Sequence, residues 1–511
     1  MPATKNHQLI RGELVLRTVS NSVENLTAAF ISLALSVIYL FDCPLQPWIN
    51  GSTGIDSSVF LTVAMMMEKG YMPYRDSFDH KGPFLYILNY LGNKLSYYNG
   101  TWFIEVVFLA ITFFILYKIA RLLAGRAASV ITVLISISLL FTYLGSGNYS
   151  EEYAMPFIAA AVYIFMDYLL NERLTAPRAV LSGAAFGLVL MLRANMIAVW
   201  IVFCLYIFVK LIIAGNYKTL FAVIAEFLFG TLLAILPMLV WLSAGGALAD
   251  FWEDYILFNI LYSSEGGGRA VMAAKWEAFI KFTNSTVFLL SFFSILCHSF
   301  DKEKRSVHLA YLAYMILTIL LMIMSGMDYP HYGLVLVPAT TYPLSLIFMD
   351  IESIREESVK RAFLLIITLY AMSVLIMPKW LDHVKAVPDI VSNRNKTAYA
   401  EDEELSTVLD LIADNADKND SICVYGNWNI VYVLSQRKHA TRYSYLVPIG
   451  IINPKIMDEY WAQLEEEQPR IVIIPEDRHY EQIENYVDRN SYKLLWTKDE
   501  TNAQSLTVYK K

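Results

Sequence analysis

Residues 71–86 read YMPYRDSFDHKGPFLY. Arg75, Asp76, Asp79, His80 and Lys81 crowd into seven positions, while the chain on either side is apolar. A charged cluster between apolar segments belongs in a loop at a membrane surface, because ionised side chains are costly in hydrocarbon. Composition agrees: 56% of the 511 residues are hydrophobic and 17% are charged, against about a quarter charged in soluble domains. Over this length the excess implies many spans rather than one anchor. The net charge of −7 leaves no basic stripe to neutralise phosphates and argues against nucleic acid as a partner.

On either side of that loop, apolar runs recur near 26–43, 101–121, 127–145, 153–170, 178–192, 194–213, 219–242, 283–299, 307–325, 332–349 and 362–379. These predict about eleven spans, each roughly matched to a hydrocarbon core of ~30 Å. Lys5, Arg11 and Arg17 precede the first run, which lacks a small-x-small cleavage site. It therefore reads as an uncleaved span with a cytoplasmic N-terminus. The inner segments then hold sixteen basic residues, among them Lys118, Arg121, Arg126, Lys302, Lys304 and Arg305, against eight in the outer segments between spans. The positive-inside rule is met. It places residues 44–100, 146–152, the turn at Arg193, 243–282, 326–331 and the tail on the extracytoplasmic side.

The long first loop is expected to fold. Residues 57–69 put Val59, Val63 and Met66 on one helical face, with Gly70 where a C′ glycine would stand; this predicts an amphipathic helix lying in the interface. Residues 83–98 are apolar, short and aromatic-rich. A full span there would turn Lys118, Arg121 and Arg126 outward, so a second interfacial or re-entrant helix is expected. LYSSEGGGRA, residues 261–270, reads as a linker or a gating loop offering Arg269, and no Gly-Lys-Ser/Thr follows to make a P-loop. From residue 400 the pattern turns to helix, turn and strand. PRIVIIPED reads as a buried strand after a charged helix at 456–466, and YKLLWTKD and SLTVYKK as edge strands. The fold class is an all-α polytopic membrane protein over residues 1–380, with a small extracytoplasmic α/β domain over 400–511. Cys43, Cys204, Cys297 and Cys423 have no ligand spacing and read as unpaired packing residues, with a Cys43–Cys423 disulfide the alternative if both face outward.

Every outer segment brings polar groups: Asp56 and the 75–81 cluster, Glu151 and Glu152 in SGNYSEEY, Arg193, Arg269, and His331 with Tyr332 in MDYPHY. Carboxylates that accept a proton and cations that hold an anion, gathered beside lipid, suit chemistry on a lipid phosphate. Plainer roles stand beside this one. Asp56 could cap a helix, Glu151 and Glu152 could sit at a helix N-terminus, and Arg193 could neutralise a neighbour.

Asp56, Gly70, Pro73, Tyr74, Asp76, Lys81 and Pro83 together resemble the first-loop motif of bacterial glycosyltransferase family 39. More distantly the motif is similar to that of protein O-mannosyltransferases and lipid A aminoarabinose transferases. Ser57 stands where many members have Glu, and Gly82 replaces the first Pro of Lys-Pro-Pro. SEEYAMPF and PHYGLVLVP are also similar to family segments. The resemblance implies a GT-C-like bundle in the plasma membrane that moves a sugar, with inversion, from a polyprenyl-phosphate donor to an acceptor hydroxyl or amine. Asp56 would be the catalytic base. Arg75, Asp76, Asp79, His80, Lys81, Glu151, Glu152, Arg193, Arg269, His331 and Tyr332 would bind substrate, with Lys81, Arg193 and Arg269 on the phosphate. The implied partners are that donor, membrane lipid, and a glycan, lipid or protein acceptor of the cell envelope. No cofactor is assigned, and a divalent metal stays open. The alternatives are a lipid-linked polysaccharide polymerase or ligase, a transporter and a scaffold. A transporter is disfavoured because no duplicated half with broken helices is visible.

Overall fold

The computed structural model describes residues 22–48, 53–264, 269–324, 326–393, 402–446, 449–502 and 504–511. Among them, eight helices are long and apolar enough to cross a membrane: Ser22–Tyr39, Gly100–Ala120, Arg126–Tyr143, Ser150–Asn171, Tyr217–Ala244, Arg305–Met322, Pro330–Glu352 and Glu357–Ile376. A ninth arises if Met272–Thr283 and Thr286–His298, which meet at 85°, count as one broken span. The protein is a multi-pass membrane protein, with fewer full-length spans than the eleven apolar runs suggest. Ala176–Leu190 and Ala198–Ile213 have only 15 and 16 residues, about 22–24 Å of helix at 1.5 Å per residue. Part of their apolar surface answers protein rather than lipid. Ala176–Leu190 lies against Tyr217–Ala244 so closely that a Cβ on Gly183 would stand 1.9 Å from the Phe227 carbonyl oxygen. Small residues at such crossings let backbones meet.

The first loop folds as two helices, Ile55–Glu68 and Pro83–Leu95. Gly70 closes the first with φ of +89°, as its C′ position predicts. That helix does not lie on an interface, however: every residue from Ser57 to Met66 is buried. Its hydroxyls are satisfied inside the protein: Ser57 Oγ accepts from Asn148 Nδ2 at 2.8 Å. Ser58 Oγ donates to the Ile55 carbonyl at 2.6 Å, and Thr62 Oγ1 to the Ser58 carbonyl at 2.8 Å. With those bonds made, the helix can be covered on all sides.

The tail forms a five-stranded sheet from β1 (Ser421–Val424), β2 (Lys438–His439), β3 (Ile471–Ile474), β4 (Lys493–Thr497) and β5 (Thr507–Lys510), in the order β2-β1-β3-β5-β4. β1 runs parallel to β2 and β3, and β5 pairs antiparallel with β3 and β4. β1 and β3 are buried along their whole length, as expected of parallel strands covered on both faces. β4 is an edge strand, as predicted. β5 is not: it pairs on both sides, and a four-residue strand alternates too briefly for the sequence to reveal that.

This unit rests on the 71–82 loop. Phe78 N–H donates to the Arg442 carbonyl at 2.7 Å, and Ser77 and His439 share a hydrogen bond of 2.9 Å. The charged loop is therefore sandwiched between the helical bundle and the tail.

Candidate active site

Several stretches converge on one cavity of about 970 Å³. The first is the start of helix Ile55–Glu68. Gly54, not Asp56, is its N-cap residue, and no side chain among the described residues caps it. The Asp56 carboxylate is thus not used for capping, and its side chain is 45% exposed in the cavity wall. Its Oδ2 lies 3.9 Å from His331 Nε2. His331 belongs to the second stretch, the 3-10 turn Pro330–Val335. Its ring is parallel to that of Tyr149, with centroids 4.3 Å apart, and to that of Tyr329 at 5.8 Å.

The third stretch is the 79–82 loop. Lys81 O accepts from the Tyr74 hydroxyl at 2.8 Å and from the Tyr86 hydroxyl at 3.2 Å, and His80 O accepts from Asn259 Nδ2 at 2.7 Å. Buried Asp79 takes one hydroxyl on each oxygen, from Tyr86 and from Tyr445, both at 2.8 Å. Burial pushes its carboxyl up from the usual range, against the opposing pull of Lys81 and the two hydroxyls. His80 is held well below its ordinary pKa by burial, and further by Lys81 and Arg193, so it is neutral. Lys81 Nζ donates to its Nε2 at 3.2 Å, leaving the proton on Nδ1, a buried atom with no hydrogen-bond partner among the described residues.

Gly82 explains the departure from Lys-Pro-Pro. Its N–H donates to the Leu192 carbonyl at 2.9 Å, and a Cβ there would sit 2.1 Å from the Met191 carbonyl oxygen. A proline would lose the bond and strike the backbone. The contact brings the 81–82 loop against the turn that carries Arg193. Gly82→Ala should therefore destabilise the chain by about 1–3 kcal/mol, read as an earlier thermal unfolding midpoint in detergent. An unchanged midpoint would mean that the two turns are not in contact.

Arg193 is ion-paired with buried Glu151 in the first turn of helix Ser150–Asn171, and its guanidinium lies 4.0 Å over the Tyr332 ring. The cavity thus gathers Asp56, Asp79, His80, Lys81, Arg193, His331 and Tyr332, with Glu151 behind Arg193. Ile197, Ile201, Ile260, Leu321 and Met324 make an apolar flank.

Other predicted residues lie elsewhere. Arg75 and Asp76 do not line the cavity: they pair with each other at 2.6 Å, and Arg75 also donates to the Gly245 carbonyl at 2.6 Å. Neighbours of opposite charge satisfied each other locally. Glu152 is fully buried in a separate knot with Glu105, both accepting from Asn148 N–H. The side chain of Arg269, like Glu265 and Gly266–Gly268, lies outside the described residues. No group of three or more His, Cys, Asp or Glu side chains that could hold a metal occurs among the described residues. The sequence did not single out Glu105, although a carboxylate inside an apolar span was the signal that could have found it. Nor did it single out Asn427 and Tyr445, which reach the cavity from the tail.

The family described as "Putative competence-induced protein Ccs4 N-terminal domain" matches residues 20–381. No curated protein matches the chain by sequence. Among solved structures, ArnT from Cupriavidus metallidurans bound to undecaprenyl phosphate is 12% identical with a TM-score of 0.59, covering 94% of this chain and 97% of that one. The archaeal oligosaccharyltransferase AglB from Archaeoglobus fulgidus, in complex with an inhibitory peptide and a dolichol-phosphate, is 13% identical with a TM-score of 0.53, covering 89% and 69%. At these identities the likeness establishes a shared architecture, the GT-C membrane fold.

Proposed function

We propose that this chain, which belongs to the family of competence-induced Ccs4 N-terminal domains, is a membrane glycosyltransferase that takes a sugar from a polyprenyl-phosphate donor. The observation that carries the reading is a single cavity that joins an accessible carboxylate, two cations and an apolar flank. The likeness of fold to ArnT bound to undecaprenyl phosphate and to AglB with dolichol-phosphate supports it. In this reading the prenyl chain lies along Ile197, Ile201, Leu321 and Met324, and the phosphate lies between Lys81 and Arg193. The acceptor oxygen or nitrogen bonds to the anomeric carbon as the bond from that carbon to the phosphate oxygen breaks. The acceptor's proton passes to Asp56, and the electron pair leaves on the phosphate, where the cations offset its charge. Attack opposite the leaving phosphate inverts the anomeric centre. The site and the tail are assigned to the extracytoplasmic face by the basic inner loops. Glycosyltransferase family 39 is the subgroup its first loop resembles, and a cell-envelope glycan, lipid or protein is the acceptor.

Lys81 supplies the test. Its Nζ is 3.2 Å from His80 Nε2, and its carboxylate neighbour Asp79 keeps its own tyrosine partners when the lysine is cut back. Lys81→Ala should weaken undecaprenyl phosphate binding by roughly 10–100-fold, the scale of one charge-assisted contact, at an unchanged unfolding midpoint. Equal binding by the variant would remove Lys81 from the phosphate site.

A further inference from the structure

The C-terminal unit does more than cover the bundle. Its segment 442–445 touches both polar walls of the cavity. Arg442 pairs with Asp254, lies 3.8 Å from Asp250, and takes the Phe78 N–H on its carbonyl. Tyr255 and Asn259, which follow Asp254, line the cavity, and Asn259 holds the His80 carbonyl. Three residues beyond Arg442, the buried Tyr445 hydroxyl donates to Asp79 Oδ1 at 2.8 Å. The other Asp79 oxygen is held by Tyr86 from the bundle. The carboxylate two residues before Lys81 is thus gripped by one hydroxyl from each unit. Docking alone would need only an apolar contact at Tyr445, which Phe78 already supplies with a ring-centroid separation of 6.3 Å.

We propose that Tyr445 is a positioning residue: through its bond to Asp79 it fixes the 79–81 loop, so that Lys81 and His80 face the lipid phosphate. This rests on the lipid-phosphate reading of the cavity. A buried hydrogen bond to a carboxylate is among the stronger ones. Losing it frees the Asp79 side chain to turn, and with it the backbone that carries the cation.

The test uses the full chain in nanodiscs and undecaprenyl phosphate as the probe. Affinity is measured for wild type, Tyr445→Phe, Asp79→Asn, the double variant, and Tyr97→Phe. The last cuts a different bond between bundle and tail, from the Tyr97 hydroxyl to the Val433 carbonyl. Tyr445→Phe and Asp79→Asn should each lose roughly tenfold in affinity. The double variant should lose no more than the worse single one, because the two residues act through one bond. Tyr97→Phe should bind as wild type does. Asp79→Asn keeps the shape of the buried side chain but exchanges one acceptor oxygen for an amide donor, so it perturbs the same pair of tyrosine bonds even where Tyr445→Phe folds poorly. Wild-type affinity in Tyr445→Phe, losses that multiply in the double variant, or an equal loss in Tyr97→Phe would each overturn the proposal while leaving the lipid-phosphate reading intact. A wild-type chain that does not bind undecaprenyl phosphate would overturn that reading, and the proposal with it.

Discussion

Asp56→Asn should lower sugar transfer by about 10²–10⁴-fold, the range supplied by a positioned general base, and leave the unfolding midpoint where it is. The stability half of that expectation follows from the helix start. Gly54 occupies the N-cap and no side chain among the described residues caps the helix, so the Asp56 carboxylate is not tied to the backbone there. Asparagine has the same shape, and the side chain is already 45% exposed, so little packing changes. The activity half follows from chemistry. Asparagine cannot take a proton, and the adjoining His331, whose Nε2 is 3.9 Å away, is clasped between the Tyr149 and Tyr329 rings. Undecaprenyl phosphate binding should survive the substitution, which separates loss of the base from loss of the donor site. A variant that turns over at the wild-type rate would shift the base to another group, with His331 first in line.

Arg193→Met should cost about 3–5 kcal/mol of stability, the usual penalty for stranding one member of a buried ion pair. Glu151 is 3% exposed and Arg193 16%, so water cannot replace the lost guanidinium. The double variant Arg193→Met/Glu151→Gln removes the stranded charge and should recover most of that stability. It should not recover undecaprenyl phosphate binding, because the cation is still missing from the cavity. Chemical denaturation in detergent and a lipid-binding titration on the same three proteins read both effects. If the double variant regains binding along with stability, Arg193 is there for the pair alone.

The sequence revealed the bundle well, because apolar runs between basic loops obey one physical rule along the whole chain. Length against lipid was harder to read. Ala176–Leu190 is as apolar as a span, yet part of that surface packs on Tyr217–Ala244 through Gly183. Asp56 and Lys81 from the first loop, with Arg193 and His331 from two others, were visible as polar residues at one predicted face. Their arrangement was not. Arg75 and Asp76 carry the same charges as Lys81 and Asp79 a few residues on, and only their closure on each other removes them from the cavity. Glu151 and Glu152 are adjacent in sequence, yet one faces Arg193 and the other joins Glu105, because successive helix positions point about 100° apart. Tyr445 lies 366 residues from Asp79, a separation over which no local pattern speaks.

The purified chain in nanodiscs is to be offered a panel of polyprenyl-phosphate sugars together with a cell-envelope glycan extract, with polyprenyl phosphate release followed. Release with one donor, coupled to appearance of the sugar on an acceptor in inverted configuration, is the predicted result. Transfer of a whole glycan from a lipid pyrophosphate, with no release from any monophosphate donor, would contradict it and make the chain a polymerase or ligase.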